Sequence, residues 1–313
     1  MLEVEFYGVR GPQPLALSRK VMKERLLKTL ENYQGEDLNT EENRLSFIEA
    51  SLEEAPFTGG HSNCVRLHGH EEAIILFGAG SGLKACGQKL LEERNSPKEI
   101  YLFLSHTHWD YISGLPYFEP LFHEEYSVNI MSCSERLKEQ CELFLNGFSH
   151  LQKGSIKATL YYQVLQTAKM KNLGQVKVTP YSMNEEGSNV AFLASDTQKS
   201  VVYSTDTNYQ YIYNNSEDNS WLNGVDMWVY DAMYNFDDYL ECLDEAHSTS
   251  LVGVDMALQN QVKHLVLYHF EHDYNEKELE CLRSHTQAYA ESHNGHSKDM
   301  KISLAYEGMR LNA

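Results

Sequence analysis

Short strand-like runs rich in Val, Ile, Leu, Phe and Tyr recur along almost the whole chain, and they restrict the fold more than any other feature. They are Val4–Tyr7, Cys64–Leu67, Ala73–Phe77, Ile100–Leu104, Val128–Met131, Val176–Tyr181, Val190–Ala194, Ser200–Ser204, Met227–Tyr230, His264–Tyr268 and Ile302–Leu304. Several have no polar alternation, the pattern of strands covered on both faces. Helical patterns fall between them: Leu83–Arg94 after a Gly-rich turn, Ser134–Leu145, a turn beginning at Asp238–Cys242, Leu251–Gln261 and Glu276–Glu291. Strands interleaved with helices predict a layered α/β fold.

One segment departs from this alternation. Ser18–Tyr33 and Thr40–Glu54 each read as an amphipathic helix, separated by the turn Gln34-Gly35-Glu36-Asp37. The resulting hairpin, residues 18–54, is too short to own a core. It suits a lid or an interface, such as a contact with a second copy of the chain. No internal repeat or low-complexity linker divides the remainder, so residues 1–313 are expected to form one domain.

Composition excludes several classes. A formal charge of -19 disfavours general nucleic-acid or acidic-membrane binding, because both partners would be repelled. A small anionic substrate remains compatible if a metal supplies local positive charge. The six cysteines, Cys64, Cys86, Cys133, Cys141, Cys242 and Cys281, contain no C-x-x-C pair. They read as reduced thiols, which predicts a cytoplasmic location. Met1–Tyr7 lacks the basic start and long apolar run of a signal peptide, and no apolar stretch reaches the roughly 18–20 residues that span a bilayer.

Chemistry concentrates after Ile100–Leu104, in Ser105-His106-Thr107-His108-Trp109-Asp110-Tyr111. Two imidazoles and a carboxylate at i, i+2 and i+4 converge only where the chain kinks, and a strand end leading to Gly114 is where α/β folds place ligands. A polar loop with hydrogen-bonded histidines would carry the same letters. The strand-end position weighs against that reading, and further motifs surround the loop. Phe6-Tyr7-Gly8-Val9-Arg10-Gly11-Pro12, Gly59-Gly60-His61-Ser62-Asn63, Gly78-Ala79-Gly80-Ser81-Gly82, Tyr203-Ser204-Thr205-Asp206, Glu245-Ala246-His247-Ser248-Thr249 and Leu265-Val266-Leu267-Tyr268-His269 fall in order along the chain.

With these motifs the chain resembles the metallo-β-lactamase-fold superfamily, in particular a bacterial branch of phosphodiesterase-like members. The resemblance implies a four-layer αββα sandwich, into which the 18–54 hairpin is inserted. It also implies a dinuclear centre. His106 and His108 match ligands of the first metal, Asp110 and His269 match ligands of the second, and Asp206 matches the bridging carboxylate. His247 matches a histidine that protonates the leaving group in relatives cleaving phosphodiesters, a role suited to imidazole. The residues themselves also permit His247 to be only the entry to a helix capped by Ser248 or Thr249.

The sequence departs from the family pattern at three points. Tyr111 stands where a further His usually follows the Asp. Glu185 stands where the third first-site His falls, and Gly78 replaces an Asp that ordinarily orients the metal loop. Random loss would more often leave Ala, Ser or Asn than two oxygen donors. The set His106, His108, Asp110, Tyr111, Glu185, Asp206 and His269 therefore reads as a rebuilt two-metal site. Its harder ligands favour iron or manganese, with zinc as the other candidate. The implied function is hydrolysis of a phosphodiester or related ester by a metal-bound hydroxide, with Asp110 and His247 as catalytic residues. The alternatives are a di-iron protein that binds or senses a diatomic gas such as oxygen, and a non-catalytic relative using the hairpin as its contact surface. His61, His68, His70, His272, His293 and His296 are expected mainly at solvated positions, with His61 able to face the site.

Overall fold

The computed structural model describes the chain except Leu17, 55–57, Arg94, 149–154, 185–188, 207–215, 242–246 and 294–299. Two seven-stranded sheets form its centre. In the first, β1 (Glu3–Gly8), β2 (Cys64–His68), β3 (Ile74–Phe77), β4 (Glu99–Phe103), β5 (Ser127–Ser132) and β6 (Thr159–Val164) lie side by side in chain order, with β14 (Arg310–Asn312) against the free edge of β1. In the second, β7 (Lys171–Leu173), β8 (Val176–Ser182), β9 (Val190–Ser195), β10 (Ser200–Ser204), β11 (Met227–Asp231), β12 (His264–Tyr268) and β13 (Lys301–Leu304) do the same. β3 to β6 and β10 to β13 are parallel runs, and the remaining pairings are antiparallel. Parallel strands need crossover connections, which put helices on the outer faces.

The sheets pack face to face through aromatic side chains. Phe77 stacks on Tyr203 with centroids 5.2 Å apart, Phe103 meets Phe192 at 5.3 Å, and Phe6 meets Tyr268 at 5.8 Å. Rings of this kind each remove about 150–250 Å² from water, which accounts for the fully apolar runs in both sheets. α3 (Leu83–Glu92) covers the outer face of the first sheet with Leu83, Cys86 and Leu90. α7 (Ser250–Gln259) and α8 (Glu276–Ser292) cover the second with Val254, Met256, Ala257, Leu279 and Leu282. The helix–sheet–sheet–helix layering matches the expected αββα sandwich.

Every strand read from the sequence is present. Three were not read. β6 is an edge strand with a largely exposed pattern, while β7 and β14 have three residues each; short or half-solvated strands carry little periodic signal. The hairpin forms as α1 (Arg19–Glu31) and α2 (Glu41–Glu54). Ser18 caps α1 by accepting the Val21 N–H at 3.2 Å. Ser134–Leu145 shortens to α5 (Leu137–Leu143) followed by a wide turn, Phe144–Phe148. The turn read at Asp238–Cys242 belongs to α6 (Phe236–Glu241), with Cys242 outside the described residues. Among the described residues, no helix is long and apolar enough to cross a membrane.

Candidate metal centre

The carboxyl ends of β4, β10, β11 and β12 lie on one side of the sandwich, and each delivers part of a single cluster. After β4 the chain turns through Leu104–His108 into α4 (Trp109–Ile112), so that His106, His108, Asp110 and Tyr111 converge. Asp206 follows β10, Asp231 ends β11 and His269 follows β12. Asp206 and His269 both adopt left-handed backbone, with φ of 51° and 62°. Non-glycine residues rarely hold this conformation, and it clusters at functional sites. Surrounding contacts fix both bends. Asn189 donates its amide to the carbonyls of Thr205 and Asp206, while Phe270, next to His269, is strapped by Phe270 N–H to Val9 O at 3.1 Å and Gly11 N–H to Phe270 O at 2.7 Å.

Asp206 is the centre of the cluster. Its Oδ2 lies 3.1 Å from His106 Nε2 and 3.9 Å from His108 Nδ1. Its Oδ1 lies 3.2 Å from His269 Nε2 and accepts the Tyr111 hydroxyl at 2.9 Å. One carboxylate thus presents a different oxygen to each ligand group. His106 and His269 are buried, and His106 Nε2 and both ring nitrogens of His269 lack hydrogen-bond partners among the described residues. Buried nitrogens aimed at a carboxylate without a hydrogen bond are costly unless something else satisfies them. Ligands of one tetrahedral ion with bonds near 2.0–2.1 Å lie roughly 3.3 Å apart, close to the two shortest His–Asp206 separations. The donor set fits a metal pair.

The electrostatics agree. Burial opposes charge on Asp206, yet the imidazoles of His269 and His106 hold its carboxyl well below the usual range. Burial and the Asp206 charge push Asp110 upward. Burial opposes protonation of His269, but Asp206 and Asp231 raise its pKa overall. Burial, then the neighbouring Asp206, holds Tyr111 well above the ordinary phenol range. Three carboxylates packed this closely share a demand for positive charge, the usual setting of a cation site.

Several orienting residues were not singled out from the sequence. Asp231 is fully buried and faces four donors. Its Oδ2 accepts the Asp206 N–H at 2.7 Å, meets His247 Nδ1 at 2.9 Å and lies 3.5 Å from His269 Nδ1. Its Oδ1 accepts the Met233 N–H at 3.1 Å. Asn63 donates to Asp110 Oδ2 at 3.2 Å, which is the orienting task the missing Asp at position 78 was expected to leave open. Gly78 explains the exchange. At φ +73° it occupies left-handed backbone, and a Cβ there would lie 3.0 Å from Asn63 O and 3.2 Å from Asn63 Cβ. Arg10 is also buried, donating to the carbonyls of Gly59, Glu271 and Tyr274 and to Thr58 Oγ1, so the early Val-Arg-Gly motif ties together the loops beside His269.

The structure brings together His106, His108, Asp110, Tyr111, Asp206, His247 and His269. His108 is the exposed member. Glu185 lies outside the described residues, although Val190 N–H donates to Ser105 O at 3.2 Å and Asn189 holds Asp206, so the chain resumes directly beside the cluster. His247 stacks on His269 with centroids 5.2 Å apart. The cap of α7 is Thr249, which accepts the Val252 N–H. His61 meets Ser81 Oγ at 3.2 Å, His68 binds Glu5, His70 binds the Leu173 carbonyl and His293 the Tyr289 carbonyl. His272 groups with Glu271 and Asp273 in a second, partly exposed cluster. His296 lies outside the described residues.

A search of curated proteins finds no match by sequence. Solved structures give likeness in fold. The metallo-β-lactamase fold protein YhfI from Bacillus subtilis aligns with a TM-score of 0.62 at 15% identity, covering 100% of this chain and 99% of that one. A diphosphatase of the PhnP family gives 0.59 at 14% identity, covering 100% and 98%. Zn2+-bound PqqB from Methylobacterium extorquens gives 0.60 at 11% identity, covering 99% and 100%. The family model described as the beta-lactamase superfamily domain matches residues 75–270, which include the β4 loop, Asp206, Asp231, His247 and His269, and the chain belongs to that superfamily.

Proposed function

We propose that this chain is a metal-dependent hydrolase with a dinuclear centre acting on a phosphodiester or related anionic ester. The observation that carries the reading is Asp206, whose two oxygens address separate ligand groups at 3.1 and 3.2 Å. His106, His108 and Asp206 would hold one ion, with Asp110, His269 and Asp206 holding the other. A bound metal pair supplies water acidified towards neutrality and positive charge opposite an anionic substrate. The fold shared with a PhnP-family diphosphatase supports phosphoester chemistry by analogy.

The chain's own residues do the positioning. With Asp231 accepting from His247 at Nδ1, the ring would be held with Nε2 as the nitrogen that protonates a leaving alkoxide. Asn63 orients Asp110, and Asp231 and Asn189 hold the backbone of Asp206 in its bent conformation. Burial of Asp110, Tyr111 and His269 keeps bulk water from this side of the cluster.

Oxygen donors weight the metal towards iron or manganese. Tyr111 either joins the ligands or donates to Asp206 as it does at 2.9 Å, and a phenolate–Fe(III) bond would absorb visible light. The same phenol favours the second reading, a di-iron protein that binds a diatomic gas. Metal analysis with an optical spectrum of aerobically purified protein, combined with turnover of bis-(p-nitrophenyl) phosphate, tests both. Two equivalents of metal with turnover are expected. Two irons with no turnover but a spectral change on adding oxygen to the reduced protein would replace the hydrolase by the gas-binding reading. Protein that takes up no metal would refute both.

A further inference from the structure

The helical hairpin presents most of its large apolar residues to solvent and a largely polar side to the protein. In α1 the half-buried side is Val21, Arg25, Thr29 and Asn32, and Arg25 Nε reaches Glu276 Oε1 at 2.6 Å, anchoring the helix at the start of α8. No residue of α1 is buried. In α2 the inward side is Asn43, Phe47 and Ser51. The outward sides carry Met22, Leu26 and Leu30 at four-residue spacing in α1, and Leu45, Ile48 and Leu52 at three and four in α2; each is 41–65% exposed. An amphipathic helix normally turns this stripe inward. Each of the two helices thus carries an exposed apolar stripe, and exposed apolar surface of this kind marks an interaction site.

Charge identifies the occupant. α1 carries five Lys or Arg against two Glu, whereas α2 carries five Glu against one Arg. We propose that the hairpin is a homodimerisation element in which α1 of one copy seats its Met22–Leu26–Leu30 stripe on the Leu45–Ile48–Leu52 stripe of α2 in a second copy. A two-fold axis satisfies both stripes at once, because each copy contributes one basic and one acidic helix to an isologous contact. Pairing α1 with α1 would set basic against basic, which costs specificity and affinity. An anionic bilayer would be repelled by the α2 glutamates. Four helices of this length, each roughly 20 Å long, form an antiparallel bundle with apolar residues at its centre. This inference is independent of the hydrolytic reading.

Sedimentation velocity of the full chain over a concentration series is the first test, with a species of twice the 36.0 kDa chain mass expected. L26D/L30D should leave the protein monomeric, since both positions are already exposed and the substitution removes only the seam. The decisive experiment uses two charge-reversed chains. R19E/K23E makes both helices acidic, and E41K/E42K/E49K makes α2 basic beside a basic α1. Each alone should self-associate at least about tenfold more weakly. An equimolar mixture should recover wild-type affinity to within about threefold as a heterodimer, which also shows that both variants fold. A wild type that stays monomeric, dimers unaffected by L26D/L30D, or a mixture that fails to recover association would overturn the proposal. A monomer that instead sediments with phosphatidylglycerol–phosphatidylcholine vesicles would overturn it in favour of a membrane contact.

Discussion

Replacing Asp231 by Asn tests how the centre is held, because the amide has the same shape and the wrong donor inventory. Asp231 Oδ2 faces the Asp206 N–H, His247 Nδ1 and His269 Nδ1, while Oδ1 takes the Met233 N–H. An Asn can keep only one acceptor oxygen. If that oxygen stays with Asp206 and His247, the NH2 points at the Met233 N–H and leaves it unpaired. If the amide flips, the NH2 opposes three donors. The milder arrangement strands one buried N–H at about 1–3 kcal/mol. It also removes one of the two carboxylate charges, with Asp206, that raise His269, loosening the two imidazoles. Outer partners of metal ligands are typically worth 10–100-fold in metal affinity, equivalent to about 1.4–2.8 kcal/mol. The assay is chelator competition followed by metal analysis, beside thermal unfolding of metal-free protein. The expected result is affinity lower by 10–100-fold and a melting temperature lower by a few degrees in the metal-free state. Unchanged affinity in D231N, in a series where His106→Ala loses its metal, would refute the orienting role.

Other perturbations separate the remaining roles. Gly78→Ala should cost about 1–2 kcal/mol by chemical denaturation, because φ +73° and the 3.0 Å approach to Asn63 O both resist a Cβ; a neutral result would show that the turn relaxes freely. His247→Ala should cost about 10²–10⁴-fold with an alkyl leaving group and far less with p-nitrophenolate, which needs no proton; equal losses on both substrates would exclude proton donation. His264 is buried, with a pKa pushed down to about 4 by burial and then by Lys301. The unfolded chain titrates near 6.5, so the unfolded state takes up this proton first as pH falls. Stability present above about pH 6.5 should therefore decline by roughly 3 kcal/mol down to pH 4; His264→Gln should flatten that segment in urea unfolding measured at several pH values, and an unchanged slope would assign the acid sensitivity elsewhere.

The layered fold was legible because the buried strands consist of little except apolar residues. Ile74–Phe77, Ile100, Leu102–Phe103 and Leu265–Tyr268 pack against the opposite sheet, the covering helices or both, and burial of that kind leaves an unmistakable run. Legibility fails where solvent or a long-range partner decides. β14 holds only because Glu3, Val4 and Glu5 offer it an edge some three hundred residues away, and nothing in Arg310–Asn312 announces this. The hairpin shows the converse. Its periodicity gave the helices directly, but periodicity alone does not tell which face turns inward, and the structure turns the apolar one out.

Within the site, the described residues placed together by motif gather at Asp206 and its neighbour Asp231, with Glu185 outside the described residues, whereas the residues that orient them are scattered. Asn63 carries no signal of its own within a Gly-Gly turn, and Asp231 directly follows the run Met227–Tyr230 and belongs to none of the motifs. Gly78 shows why such partners escape a residue-by-residue reading. Its lack of a side chain reads as the loss of an orienting carboxylate, yet the missing Cβ is what admits Asn63 to within 3.2 Å of the spot and lets it hold Asp110. The orienting contact is therefore made by a neighbour on a different strand connection. Tyr111 invites the same argument. Its hydroxyl meets Asp206 Oδ1 on the side of His269, so the phenol contributes either a hard ligand or a hydrogen bond that steadies the shared carboxylate. In both cases the exchange of imidazole for phenol retains a polar contact to the group on which the two halves of the centre depend. Undirected loss would more often leave Asp206 Oδ1 facing an apolar or truncated side chain, so the retained contact supports the proposed centre.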